Sequence, residues 1–272
     1  MSTYDFLEIE QNEHVATMWL AQPENRNAMG PAFWVDLPRA VGELVADENV
    51  RAIVLAARGE HFTVGLDLKS MGKQIAEGEG SAGAGGRKRL LDNILHLQGS
   101  ITALARCEKP VIVATQGYCL GGGIDLITAC DVRLASANTR FGIRETRMAM
   151  VADVGTLQRL PAIIGKGMVS ELAFTGDDFD AERAKAMGLV NEVYPDHAAT
   201  VQAAQAMAAR MAANSPLAVT GTKRVLAFCE GKSTEDGLTY VATWNAAFVA
   251  SDDLREAMRA FFEKRTPQFQ GK

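Results

Sequence analysis

The chain has 272 residues, 47% of them hydrophobic, and a formal net charge of −5 at pH 7. That is enough apolar mass for a sizeable core, in one large domain or two small ones. No run of about 18 apolar residues occurs, which speaks against a transmembrane helix, and the acidic balance offers no broad attraction to a nucleic-acid backbone. Cys107, Cys119, Cys130 and Cys229 form no CxxC pair and lie near no His cluster of metal spacing, so they read as reduced thiols and no metal site is expected. The terminal stretches MSTYDFLEIE and FQGK read as neither a signal or transit peptide nor a peroxisomal or prenylation address, a pattern expected of a soluble cytoplasmic protein.

In chain order, FLEIE and HVATMWL are two β-type runs joined by Gln11-Asn12-Glu13, a hairpin pattern. A helix is expected around 31–46, with Pro31 in a tolerated first turn and Pro38 kinking or breaking it. AIVLAA at 52–57 and VIVATQG at 111–117 are continuous apolar runs suited to strands buried on both faces. VRLASA at 132–137 and LVNEVY at 189–194 are shorter strand candidates, and helices are expected at 90–106 and 121–130. This alternation argues for a parallel α/β sheet. After residue 195 the pattern turns helical: Ser233 and Asp236 resemble a capping box, and Leu254, Ala257, Met258, Phe261 and Phe262 follow amphipathic spacing. The division is therefore an α/β core at 1–195 and a helical segment at 196–272. Residues 72–88, rich in Gly, Ala and charge, read as a surface loop or as a flap over a site. Arg87-Lys88-Arg89 and Lys264-Arg265 are either solvated surface or a grip on the phosphates of a cofactor.

The strongest local signal is QGYCLGGGIDL at 116–126, three glycines where a buried strand turns into a helix. Such a turn presents backbone N–H groups to an anion, or to an oxygen that becomes one; tight helix–sheet packing explains the glycines equally well. It is neither a Walker loop nor a dinucleotide fingerprint. FTVGLDLK at 62–69 has Gly65 in a second turn. If the two turns converge, the amides of Leu66 and Gly122 hold one carbonyl oxygen as an oxyanion hole. Asp125, Glu145 and Asp153 follow, each with an ordinary explanation: a first-turn carboxylate, a surface partner of Arg144 or Arg147, and a helix N-cap.

PENRNAM at 23–29, HFTVGLDLKSM at 61–71, GYCLGGGIDLITACDVRLAS at 117–136, FGIRE at 141–145, DVGTLQRLPAIIG at 153–165, TGDDFDAERAKAMGLVNEV at 175–193 and FEKRTPQF at 262–269 together resemble the crotonase superfamily. The resemblance implies a spiral of ββα units with a helical C-terminal trimerisation segment, a homotrimer or homohexamer, and an acyl-CoA substrate with coenzyme A as part of that substrate rather than a separate cofactor. It also implies oxyanion amides from Leu66 and Gly122, a CoA-binding region at Leu66, Asp67, Leu68 and Lys69, and a phosphate contact from Lys264 of a neighbouring subunit. Hydratases of the family carry glutamates at the positions of Asp125 and Glu145, and usually Gly at that of Asp153. The Asp/Glu/Asp set, with NAMxxAFW at 27–34 and GLDL at 65–68, is more similar to the Δ3,5-Δ2,4-dienoyl-CoA isomerases, which implies Glu145 and Asp153 as the acid/base pair and Asp125 as a group that tunes them. A 2-enoyl-CoA hydratase using Asp125 and Glu145, and a non-catalytic acyl-CoA-binding homologue, are the competing readings.

Overall fold

The structure is a computed structural model that describes residues 3–70 and 83–272. Its main sheet has six strands in the order β1-β2-β3-β4-β6-β9: β1 Leu7–Asn12, β2 Val15–Leu20, β3 Ala52–Ala57, β4 Val111–Thr115, β6 Val132–Ser136 and β9 Glu192–Tyr194. β1 and β2 form the antiparallel hairpin, and every later neighbour is parallel. A smaller sheet holds β5 Tyr118–Leu120, β7 Arg140–Gly142 and β8 Phe179–Asp180. The chain spirals between the two: β4 leads into β5, and β6 leads into β7, so each turn adds one strand to each sheet.

The apolar runs follow from burial on both faces. Ile53, Leu55, Ala57, Val111 and Val113 point into the larger core, shared with helix α1 Pro31–Ala46, helix α2 Gly83–Ala105 and helix α3 Gly122–Thr128. The alternate residues Ala52, Val54, Ala56, Ile112 and Ala114 meet helix α7 His197–Ala212 through Val201, Ala204, Ala208 and Ala212. Alanine on both surfaces lets that helix lie close to the sheet. Pro31 occupies the expected first-turn position of α1, but Pro38 does not break it; the helix runs on to Ala46. LVNEVY contributes only its last three residues as strand, while Leu189 and Val190 are buried ahead of it. Of the 72–88 segment, 83–88 are helical and belong to α2, and 72–82 lie outside the described residues.

Helices α4 Thr156–Ile164, α5 Lys166–Thr175 and α6 Ala181–Ala186 follow the smaller sheet. Beyond α7 come α8 Pro216–Cys229, α9 Thr234–Phe248 and α10 Asp252–Glu263. The Ser233/Asp236 capping box is formed at the start of α9. The apolar stripe of α10 stays largely on the surface, with Met258 51%, Phe261 76% and Phe262 73% exposed. No helix among the described residues is long and apolar enough to cross a membrane.

A buried polar latch joins the loops that reach the site. Asn27 is fully buried and left-handed, at φ 53°, a conformation asparagine tolerates better than most residues. Its Nδ2 donates to the carbonyls of Arg58 at 3.0 Å and His61 at 2.9 Å, and its Oδ1 accepts from the Gln22 N–H at 2.8 Å. Its own carbonyl accepts from Thr63 Oγ1 at 2.6 Å. Asn27→Ala removes the side-chain bonds and places alanine in an unfavourable backbone region. A loss of roughly 3 kcal/mol is expected, read as a lower urea midpoint with an unchanged slope.

Candidate active site

The two turns converge. Met29 and Leu66 form one bridge, Thr63 and Cys119 another. Across them, a Cβ placed on Gly65 would lie 2.8 Å from the Leu120 carbonyl oxygen and 3.3 Å from the Gly122 nitrogen. Gly65 also sits at φ +86°, so only glycine allows this approach without strain. Neighbouring amides are already engaged: Gly65 donates to Thr63 Oγ1, Asp67 to the Met29 carbonyl, and Gly121 to the Gly142 carbonyl. Among the described residues no hydrogen bond uses the Leu66 or Gly122 amide. Both residues line one cavity of about 1340 Å³.

All three candidate carboxylates line that same cavity, Asp125 from α3, Glu145 from the 3₁₀ turn Glu145–Met148, and Asp153 from the segment before α4. The ordinary explanations for two of them fail. Arg144 pairs with Asp178 and Arg147 with Asp177, so neither neutralises Glu145. The N-cap of α4 is Gly155, with no side-chain cap bond, so Asp153 does not cap it. The cap-like role belongs to Asp125: its Oδ1 accepts from the Thr156 N–H at 2.5 Å, across 31 residues of sequence. Sequence reasoning missed this partner because nothing local couples Asp125 to Thr156.

Burial dominates the electrostatics. Asp125 is 1% exposed, and desolvation pushes its carboxyl from 3.8 up to about 7; the Thr156 bond opposes this, and the charges of Glu145 and Asp153 add to it. Burial also raises Glu145, with Asp153 contributing, and burial raises Asp153. Asp125 Oδ2 and Glu145 Oε2 are buried with no hydrogen-bond partner among the described residues. None of the three acids meets a cation in an ion pair among the described residues, so nothing of that kind opposes the upward shift that burial gives each carboxyl.

The other lining is mostly apolar. Leu90, Ile94 and Leu97 of α2 form one wall, and Met148, Met150 and Val151 another. Arg26, Arg89, Arg144 and Arg147 also line it. Of the expected CoA contacts, Leu66 and Leu68 line the cavity, whereas Asp67, Lys69 and Lys264 are not among its lining residues. Asp67 is occupied locally, accepting from the Lys69 N–H at 3.0 Å and from Ser70 Oγ at 2.6 Å. Lys264 is the left-handed residue ending α10. Arg89, within the Arg87-Lys88-Arg89 cluster, reaches the cavity, while Lys88 pairs with Asp92.

Residues 10–272 match the family described as enoyl-CoA hydratase/isomerase. The chain belongs to that family. It is 42% identical to the peroxisomal Δ3,5-Δ2,4-dienoyl-CoA isomerase of Arabidopsis thaliana, over 99% of this chain and 98% of the relative. To the mitochondrial enzyme of that name from Dictyostelium discoideum it is 39% identical, over 99% of this chain and 92% of the relative. The crystal structure of an enoyl-CoA hydratase from Bacillus anthracis superposes with a TM-score of 0.89 at 28% identity, covering 98% of this chain and all of the other. As a family member the chain is an enzyme of the crotonase type, with an acyl-CoA substrate.

The buried Asp125 makes a stability prediction with a defined sign. Its folded pKa is raised, so its contribution is fully present below about 3.8 and is lost as pH rises through about 7. Asp125→Asn keeps an oxygen for the Thr156 N–H but cannot ionise. At about 1.4 kcal/mol per pKa unit, the variant should gain on the wild type by on the order of 2 kcal/mol between pH 5 and pH 8. Paired thermal melts across that range check it; a constant difference would show that Asp125 does not titrate there.

Proposed function

We propose that this protein isomerises 3,5-dienoyl-CoA thioesters to 2,4-dienoyl-CoA. The observation that carries the reading is that Glu145 and Asp153 face the same cavity as the amides of Leu66 and Gly122, neither paired with a cation among the described residues, while Asp125 holds the amide that starts α4. The names of the two isomerase relatives support the same reaction.

The chemistry follows from the geometry. The thioester oxygen sits between the Leu66 and Gly122 amides, which stabilise negative charge as it develops there. One of Glu145 and Asp153 takes a proton from C2, and the anion spreads along the conjugated chain. The other returns a proton at C6, giving the 2,4-diene with no net change in the substrate's atoms. C2 and C6 are too far apart for one short carboxylate to serve both, which is why two are needed. Raised pKa values suit both roles, since the base must accept a proton and the acid must hold one near neutral pH. The apolar walls from α2 and from Met148 to Val151 disfavour water beside the acyl chain, so the anion takes its proton at C6 from the carboxyl group rather than from solvent at another carbon. In this reading Arg26 and Arg89 meet the CoA phosphates, and Leu66 and Leu68, which line the cavity, flank its pantetheine arm.

The assembly belongs to the same proposal: a homotrimer or homohexamer in which the exposed apolar face of α10 is covered, acting in the cytoplasm. Light scattering on the purified protein should return three or six times the 29.2 kDa chain mass.

A paired ultraviolet assay tests the reaction. With a 3,5-dienoyl-CoA the conjugated product absorbance should grow, while crotonyl-CoA loses little of its own. Asp153→Asn should lower isomerisation by about 10²- to 10⁴-fold with CoA binding retained, and Glu145→Gln should be equally damaging. Fast loss of crotonyl-CoA with no dienoyl product would instead make the protein a hydratase acting through Asp125 and Glu145.

A further inference from the structure

The segment carrying Asp153 is held by residues that line no part of the substrate cavity. Gln98 Nε2, on α2, donates to the Asp153 carbonyl at 2.6 Å. Arg159, on α4, donates from Nη1 to the Val154 carbonyl at 3.4 Å and from Nη2 to Thr102 Oγ1 on α2 at 3.0 Å. Between them Gly155 sits at φ +137°, and a Cβ built on it would fall 1.7 Å from Arg159 Nη1. The guanidinium thus fills the place of the side chain that Gly155 lacks. It lies in the wall of a different cavity, of about 1240 Å³, beneath α8, α9 and α10.

We infer that Arg159 is a positioning residue: its planar fork clamps the turn 153–156 to α2, fixing how Asp153 is presented, and its charge stands behind the carboxylate cluster. The inference rests on the proton-transfer reading of that cluster. Arg159 is half-buried and forms no ion pair with a carboxylate among the described residues. Burial lowers its pKa, and attraction first to Asp125 and then to Glu230 and Cys130 opposes that. Asp125 in turn faces Glu145, Asp153 and Thr156, so the attraction between Arg159 and Asp125 sets a positive charge against one member of that acidic group. A lysine would keep the charge but not the two-pronged grip.

The test compares Arg159→Gln, Arg159→Lys and Thr102→Val with the wild type, following kcat and KM for a 3,5-dienoyl-CoA across pH, with circular dichroism to confirm folding. Arg159→Gln should lower kcat by about 100-fold with KM little changed, and move the acid limb of the kcat profile upward by roughly half a unit to one unit, because removing a cation raises carboxylate pKa values. Arg159→Lys should restore the limb but not the full kcat. Thr102→Val should lower kcat several-fold without moving the limb. A folded Arg159→Gln enzyme with wild-type kcat and profile overturns the inference. Should that variant not fold, wild-type kcat in both Arg159→Lys and Thr102→Val overturns it. If the wild type hydrates 2-enoyl-CoA instead, the same comparison is made on that reaction. If it turns over neither substrate, carboxyl NMR titration of Asp125 reads the charge effect, and an unshifted titration in Arg159→Gln overturns it.

Discussion

Two backbone amides can share one oxygen only if nothing stands between them, and the whole site depends on that constraint. The turn at Gly65 approaches the turn at Leu120–Gly122 so closely that a single added carbon would meet a carbonyl oxygen at 2.8 Å. Everything around the contact serves to hold the two main chains at that spacing. Parallel strands β3 and β4 deliver the chain to the same edge of the main sheet, and the Thr63–Cys119 bridge continues the pairing beyond it. The Asn27 latch then draws a third loop against the one that carries Gly65.

Around this fixed pair of donors the protein gathers negative charge in a place that disfavours it. Burial raises all three carboxyls, and repulsion from neighbouring carboxylates adds to the effect at Asp125 and Glu145. Such a cluster costs folding free energy, and the structure offsets part of it with a helix amide at Asp125 and a cation behind the turn of Gly155. The proposed transfer of a proton from one carbon to another needs carboxyls that are weak acids, and desolvation shifts these three in that direction.

Legibility in the sequence followed the range of the forces involved. AIVLAA at 52–57 and the first five residues of VIVATQG could be read because both faces of those strands are buried, leaving an unbroken apolar run. The helix at 31–46 was marked by the proline in its first turn, and Ser233 with Asp236 by a local cap. The three-residue strands β5 and β7 were not legible, because three residues carry no period. In LVNEVY, Leu189 and Val190 are apolar because the core surrounds them, not because the chain is extended. The glycine turn and the acids stood out, but their convergence was a matter of tertiary structure. Asp153 looked like a helix cap because it precedes a helix; Gly155 takes that position, and the oxygen on the first amide comes from Asp125. The contacts of Gln98 and Arg159 with the Asp153 turn span 55 and 5 residues and left no pattern to read.

The hydrogen bond from Thr156 to Asp125 also sets a limit on how this site can be moved. Helix α4 begins on an acceptor that its own neighbouring residues do not provide, so a short graft of the Asp153 turn into another scaffold would carry a helix with its first amide open. The transferable unit is larger: the glycine turn, α3 and the start of α4 together, with the α2 side chains that brace them. Recombination between relatives is constrained in the same way. A crossover between residues 125 and 156 would join an acceptor from one parent to an amide from another, and only parents that agree on that single bond would yield an intact helix start.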